Sequence, residues 1–208
     1  MKKFALICML LVVTGCAVGN KYDYHSSVIH LPMKSEMHKK VILDVEDLRP
    51  YVQSGKKKPN FVGLQRGGFG NPFDVTTESG NPLAMDMETS ITRALNDSGY
   101  QVLNIKEDLI KNELANIALQ NNASRVIILT INEWKSDVYM SIKLYCDIIL
   151  RIYNDSGGVL VENNMKFEEQ IGGAQISASR NSDTVSSEFG KRIGYLFNSK
   201  EVRDALLF

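Results

Sequence analysis

Cysteine is scarce in this chain, with three among 208 residues at Cys8, Cys16 and Cys146, which excludes a small scaffold held by several disulfides. Neither sign of charge prevails: 24 Lys and Arg balance 24 Asp and Glu. That balance removes the electrostatic footprint of a nucleic-acid binder, and no nucleic-acid partner is expected. Histidine is also rare, and its three copies, His25, His30 and His38, all precede the first strong strand signal. Their spacing matches no metal-ligand pattern, so solvated histidines and no metal or other cofactor are expected. Missing too are Gly-x-Ser-x-Gly, Ser-x-x-Lys, the Gly-Lys-Ser/Thr ending of a phosphate loop and any internal repeat. The longest apolar run, Phe4–Val13, is too short to span a bilayer. What remains is ordinary for a globular domain, at 44% hydrophobic and 23% charged residues.

The first residues carry the sharpest signal. Lys2 and Lys3 precede the apolar run, and small residues lead to a cysteine, the order of a secretory signal. The junction Val13-Thr14-Gly15-Cys16 resembles the lipobox of bacterial lipoproteins. The resemblance implies cleavage before Cys16, a diacylglycerol on its thiol and a third acyl chain, such as palmitate, on its freed amine. Several chains anchor a protein stably where one of ~14 carbons does not. In such lipoproteins an aspartate after the cysteine commonly retains the protein in the inner membrane; Ala17 stands there instead, which implies an outer-membrane anchor with the domain facing the periplasm. Removal of residues 1–15 leaves Cys146 without a partner in the chain, and its place in an apolar strand suits an inert thiol.

Residues 16–39 are polar and irregular and suggest a lipidated tether, with a short edge strand at Val28–Leu31. Residues 40–208 read as one periplasmic domain. Val41, Leu43 and Val45 mark a strand that Asp47-Leu48-Arg49-Pro50 ends. A long glycine- and lysine-rich excursion follows, with short strands at Phe61–Leu64 and Phe73–Thr76. Asn81 and Pro82 open an amphipathic helix carrying Leu83, Met87, Ile91, Ala94 and Leu95, which Gly99 stops before a strand at Gln101–Ile105. A second helix is expected over Lys106–Asn121. Strands at Arg125–Trp134, Val138–Tyr153 and Val159–Ile171 form the clearest β signal: Met140, Ile142, Leu144, Cys146, Ile148, Leu150 and Ile152 alternate with polar residues. A helix over Ser182–Phe197 and a short one around Val202–Leu207 close the chain. This order predicts an α+β, two-layer sandwich, with a mixed, mostly antiparallel sheet and helices packed on one face.

Two surfaces are candidates for contacts. Lys56, Lys57, Lys58 and Arg66, in the glycine-rich stretch, could meet an anionic partner, although a charge run is ordinarily a solvated face. Tyr139, Lys143, Tyr145 and Arg151 recur on the polar side of the long strand and could form an interaction face, against ordinary cross-strand packing. Paired carboxylates such as Glu168/Glu169 lack surroundings that would split their pKa values.

The lipobox at Cys16, the early strand with Asp47 and Arg49, the helix ending Ala94-Leu95 to Gly99-Tyr100, and the long meander closed by a helix together resemble the YajG-like family of bacterial lipoproteins. That resemblance implies an envelope location and an α+β fold and brings no catalytic residues. The functional expectation is a non-enzymatic, outer-membrane-anchored accessory or assembly factor, acting on an envelope protein or a peptidoglycan-associated complex. A narrower version resembles lipoproteins that reach inward to activate peptidoglycan synthases. The alternatives are a small-ligand, lipid or glycan-binding module with its pocket between helix 82–98 and the sheet, and, more weakly, an envelope glycan hydrolase.

Overall fold

The computed structural model describes residues 19–35, 38–105, 113–174 and 178–207. The expected signal segment, Cys16 and the first part of the helix expected at 106–121 lie outside them. Eight strands form one mixed sheet: β1 (Lys21–Tyr22), β2 (Lys40–Asp47), β3 (Phe61–Arg66), β4 (Pro72–Thr77), β5 (Gln101–Asn104), β6 (Arg125–Val138), β7 (Ser141–Asn154) and β8 (Val159–Gly173). The helices are α1 (Pro50–Gln53), α2 (Leu83–Asp97), α3 (Leu114–Asn121), α4 (Ala178–Phe197) and α5 (Lys200–Leu206).

Strand β6 is the spine. One edge pairs antiparallel with β7 along its length, and β8 continues the meander. Its other edge is shared: residues 125–131 pair parallel with β2, and residues 136–138 pair parallel with β3. A bulge between Ile131 and Glu133 separates the two halves and shifts the side-chain phase. Ile127, Leu129 and Ile131 therefore share the buried face with Trp134 and Val138, an odd-to-even change that simple alternation does not show.

The space where β2 leaves β6 and β3 enters is filled by Arg49, which is fully buried. Its Nε and Nη2 donate to the Asp47 carboxylate at 2.8 and 2.6 Å. Nη1 donates to the carbonyls of Phe61 at 2.6 Å and Trp134 at 3.2 Å, and Nη2 also to that of Pro59 at 3.0 Å. A guanidinium offers five donors in a fixed fork, and each has an acceptor at this splice. Burial works to lower the Arg49 pKa, and hydrogen bonding to Asp47 together with the neighbouring Tyr51 and the Asp47 charge more than offsets it, so the cation is held. Gly63 makes the approach of β3 possible, since a Cβ there would lie 2.3 Å from Ser136 Oγ.

Helices α2, α4 and α5 cover one face, where Leu83, Met87, Ile91, Phe189, Ile193 and Leu206 pack on the apolar sides of β2, β6 and β7. This is the expected helix layer. Helix α3 adds to it from the other side: Leu114 and Ala118 pack with Ile42, Val126, Ile128 and Tyr153, residues out of phase with the main core. Tyr153 is thereby buried rather than solvated.

The expected tether departs most from the sequence reading. No strand forms at Val28–Leu31; β1 lies earlier, and residues 20–35 strap across the helix-covered face. Tyr22, Tyr24, Ile29 and Met33 are buried, Tyr24 edge-on to both Trp134 and Phe189. The strap crosses α4 where that helix has no side chains: a Cβ on Gly190 would lie 2.3 Å from the Val28 carbonyl oxygen, and one on Gly194 2.9 Å from that of His30. Ser35 N–H donates to the Ser98 carbonyl at 2.7 Å and ties down the far end. Four apolar side chains among polar neighbours suffice, because each enters the main core.

Candidate interaction surfaces

The face of β6, β7 and β8 opposite α2, α4 and α5 is built by cross-strand register. Lys143, Tyr145, Asp147 and Arg151 stand opposite Gln170, Glu168, Lys166 and Glu162, and the charges pair accordingly. Arg151 Nε lies 2.6 Å from Glu162, Lys166 Nζ 2.6 Å from Asp147 and Lys143 Nζ 3.4 Å from Glu168. Of the four residues expected to form an interaction face, Lys143, Tyr145 and Arg151 are here. Tyr139 is not: it sits in the β6–β7 turn, because β7 begins at Ser141.

Sequence reasoning missed the centre of this face. Lys135 Nζ lies 4.9 Å from the Tyr145 ring centroid and 5.4 Å from that of Tyr51, and pairs with Glu133 at 2.8 Å. Tyr51 Oη donates to Glu133 Oε1 at 2.5 Å. Burial raises the Tyr51 and Tyr145 pKa values, so both stay neutral, and a cation held between two rings is satisfied where it stands. Tyr51 belongs to a one-turn helix, where no periodicity marks it.

The four basic loop residues do not converge. Lys57 Nζ pairs with Asp74 at 2.5 Å and lies 4.7 Å from the Phe61 ring centroid. Arg66 forks onto Asp137 at 2.8 and 2.5 Å from the opposite end of β3. Lys56 and Lys58 are exposed. Two of the four cations thus serve the fold, and a strand's length separates Arg66 from the rest.

The pocket expected between α2 and the sheet is filled, since Leu83, Met87, Ile91 and Leu95 are fully buried there. An open groove of about 880 Å³ lies instead between the strap and α4, lined by Asp23, Ser26, His30, Glu78, Asp183 and Lys191 among others. Asp23 already caps a turn, accepting from Ser26 N–H at 2.8 Å. His25 is half-exposed, with Nδ1 3.5 Å from the buried Asp86, whose carboxylate accepts from Ser79 Oγ at 2.8 and 2.7 Å. The aspartate stands between serine and histidine, the wrong order for a nucleophile and its base. Among the described residues no group of three His, Cys, Asp or Glu side chains is placed to hold a metal. Burial pushes the Cys146 thiol up to about 12, which keeps it protonated and unreactive.

No protein-family model matches the chain, and no curated protein sequence matches it. Solved structures with a similar course of chain do exist. XCC0632, a DUF330 protein from Xanthomonas campestris, is 9% identical with a TM-score of 0.48, covering 81% of this chain and 91% of that one. Lipoprotein GNA1162 from Neisseria meningitidis is 12% identical with a TM-score of 0.43, over 77% of this chain and 99% of that one. The LpoB C-terminal domain from Salmonella enterica is 10% identical with a TM-score of 0.37, over 72% and 99%. At such identities and TM-scores the likeness assigns neither a family nor an activity.

A third surface is an edge of the sheet. Because β3 runs parallel to β6, the β3–β4 turn and the β6–β7 turn emerge side by side, each just beyond the paired residues Gln65 and Val138. Phe69 in the first turn is 82% exposed and Met140 in the second 81%, the highest values among the large hydrophobic side chains described, with Tyr139 beside them at 45%. No described helix is long and apolar enough to cross a membrane.

Proposed function

We propose that this protein is a lipid-anchored, non-catalytic accessory factor of the bacterial envelope, held by acyl chains on Cys16 in the outer membrane with its α+β domain in the periplasm. The observation that carries this reading is the short leash. The Asn20 carbonyl accepts from Thr76 N–H at 3.2 Å, so the chain is tied to the sheet from that residue on. Four residues from Cys16 to Asn20 reach about 14 Å fully extended, whereas a tether over residues 16–39 would reach about 80 Å. A domain on so short a leash works at the membrane surface. Such a leash favours an accessory role in a membrane-associated assembly over one that reaches inward to peptidoglycan synthases.

The test is intact mass and membrane fractionation of the native protein beside Cys16→Ala. A triacylated wild type in the outer-membrane fraction, with the variant unprocessed or released, supports the reading; an unmodified wild type in the soluble fraction overturns it. The groove beside α4 favours one second reading, a polar small-ligand module. Asp23, Glu78 and Asp183 give its rim a mainly acidic character, which suits a cationic or hydroxyl-rich ligand. Native mass spectrometry of protein from envelope extracts showing only the bare chain would remove that reading.

A further inference from the structure

The end of the sheet that bears Phe69, Tyr139 and Met140 is unlike its opposite end. At the far end α3 packs against β6, and Gly157 of the β7–β8 turn approaches Ala115. At the near end two apolar turns project with no described element over them, and soluble domains seldom leave such groups bare without a use. Glycines flank Phe69 as Gly67-Gly68-Phe69-Gly70, and Gly70 has φ +82°, so the turn carries its aromatic ring on a tip with no other bulky side chain.

The entering chain comes in at this same end. Lys21 pairs with Thr76 in a parallel bridge, so Asn20 is level with Val75, three residues along β4 from the turn. That distance is about 10 Å, and the leash from Asn20 to Cys16 is about 14 Å. Val75 pairs with Gly63 and Gly63 with Ser136, so the start of β6 lies eleven residues away, about 36 Å and outside the leash. An anchor at Cys16 therefore brings the bilayer to the end of the domain where the two apolar turns project.

We infer that this rim is a membrane-contacting edge: Phe69, Tyr139 and Met140 enter the interface of the leaflet that holds the acyl chains of Cys16. The inference rests on the anchored reading above and adds an orientation to it, with the long strands standing away from the membrane and α3 and the α4 C-terminus farthest from it. An aromatic and a thioether side chain suit the headgroup boundary, where an apolar body is buried beside polar surroundings. Arg66 is held back by its fork on Asp137, so the contact is apolar rather than electrostatic and predicts little dependence on salt.

The test uses full-length acylated protein in vesicles of phosphatidylethanolamine and phosphatidylglycerol, part of it brominated near the headgroup end of the acyl chains. Trp134 is fully buried and supplies a constant background, against which Phe69→Trp and Met140→Trp are read beside Leu119→Trp and Tyr195→Trp at the other end. Quenching at positions 69 and 140 about fivefold above that at 119 and 195, with a blue shift, is expected for side chains in the interface. Equal quenching at all four positions in protein that floats with the vesicles overturns the inference and leaves the anchor standing. Protein that does not float overturns both. Shielding of positions 69 and 140 from aqueous acrylamide without bromolipid quenching would mean that a second copy covers the rim, and overturns the inference as well.

Discussion

Two stretches of this chain have the same polar, irregular composition and opposite fates. Residues 20–35 become a strap sealed into the main core, and residues 55–71 become a lysine-rich loop and a hairpin whose turn stands in solvent. The difference lies in what each is given to pack against. Tyr22, Tyr24, Ile29 and Met33 find the Trp134–Phe189 cluster and the bare glycines of α4, while Phe69 projects beyond the last paired residues of its strands and stays 82% exposed. A few apolar side chains with a docking surface outweigh the average polarity of the segment that bears them.

Mutations break this comparison most directly on the strap side. Tyr24→Ala is expected to cost about 3–5 kcal/mol in denaturant unfolding, the range for emptying a large aromatic site, and to make residues 20–35 the first site of limited proteolysis. At the root of the exposed stretch, Arg49→Ala is expected to cost about 3–5 kcal/mol, because it leaves Asp47 and three carbonyls without their donors. Arg49→Lys recovers little, since an ammonium cannot reproduce the fork. Gly190→Val leaves the core composition unchanged and forces the strap off α4, at about 1–3 kcal/mol.

Alkaline titration sharpens the contrast with a definite sign. Burial raises the pKa values of Tyr22 and Tyr24, and holds Cys146 at about 12. Unfolded thiols and phenols lose protons near pH 9 and 10 while the folded ones keep theirs, so the unfolded state binds fewer protons and stability falls as pH rises. Each fully buried group contributes up to about 1.4 kcal/mol per pH unit above its unfolded pKa. Tyr24→Phe should flatten that part of the urea-midpoint profile. The smallest effect belongs to the hairpin tip, where Phe69→Ser is expected to change stability by less than about 0.5 kcal/mol.

Much of the sheet was legible in the sequence for a plain reason. From Ile142 to Ile152 in β7 apolar residues alternate with others, broken only at Ile149, and a strand with one buried face has to show that pattern. Helix α2 announced itself by spacing, and its start at Leu83 differs by one residue from the expected start. What failed to show depends on contacts distant in sequence. The bulge in β6 shifts the phase at Ile131, the turn at Tyr139 shortens β7, and the filled space under α2 is set by side chains from β2 and β6. Asp47 and Arg49 read in the sequence only as the end of a strand, because their task of splicing β2 to β3 along one edge of β6 needs the Phe61, Trp134 and Pro59 carbonyls, which lie from 10 to 85 residues away from Arg49.

The chain joins the folded domain from Asn20 on, only four residues from Cys16, the proposed anchor. Amide hydrogen exchange of the vesicle-bound protein tests this at Ser27 and Ser35, whose N–H groups donate to Tyr24 and Ser98. Protection there approaching that of β6 and β7, with the Gly67–Gly70 turn exchanging fast, is the expected result. Exchange of residues 20–35 as fast as that turn would show a free tether and contradict the account.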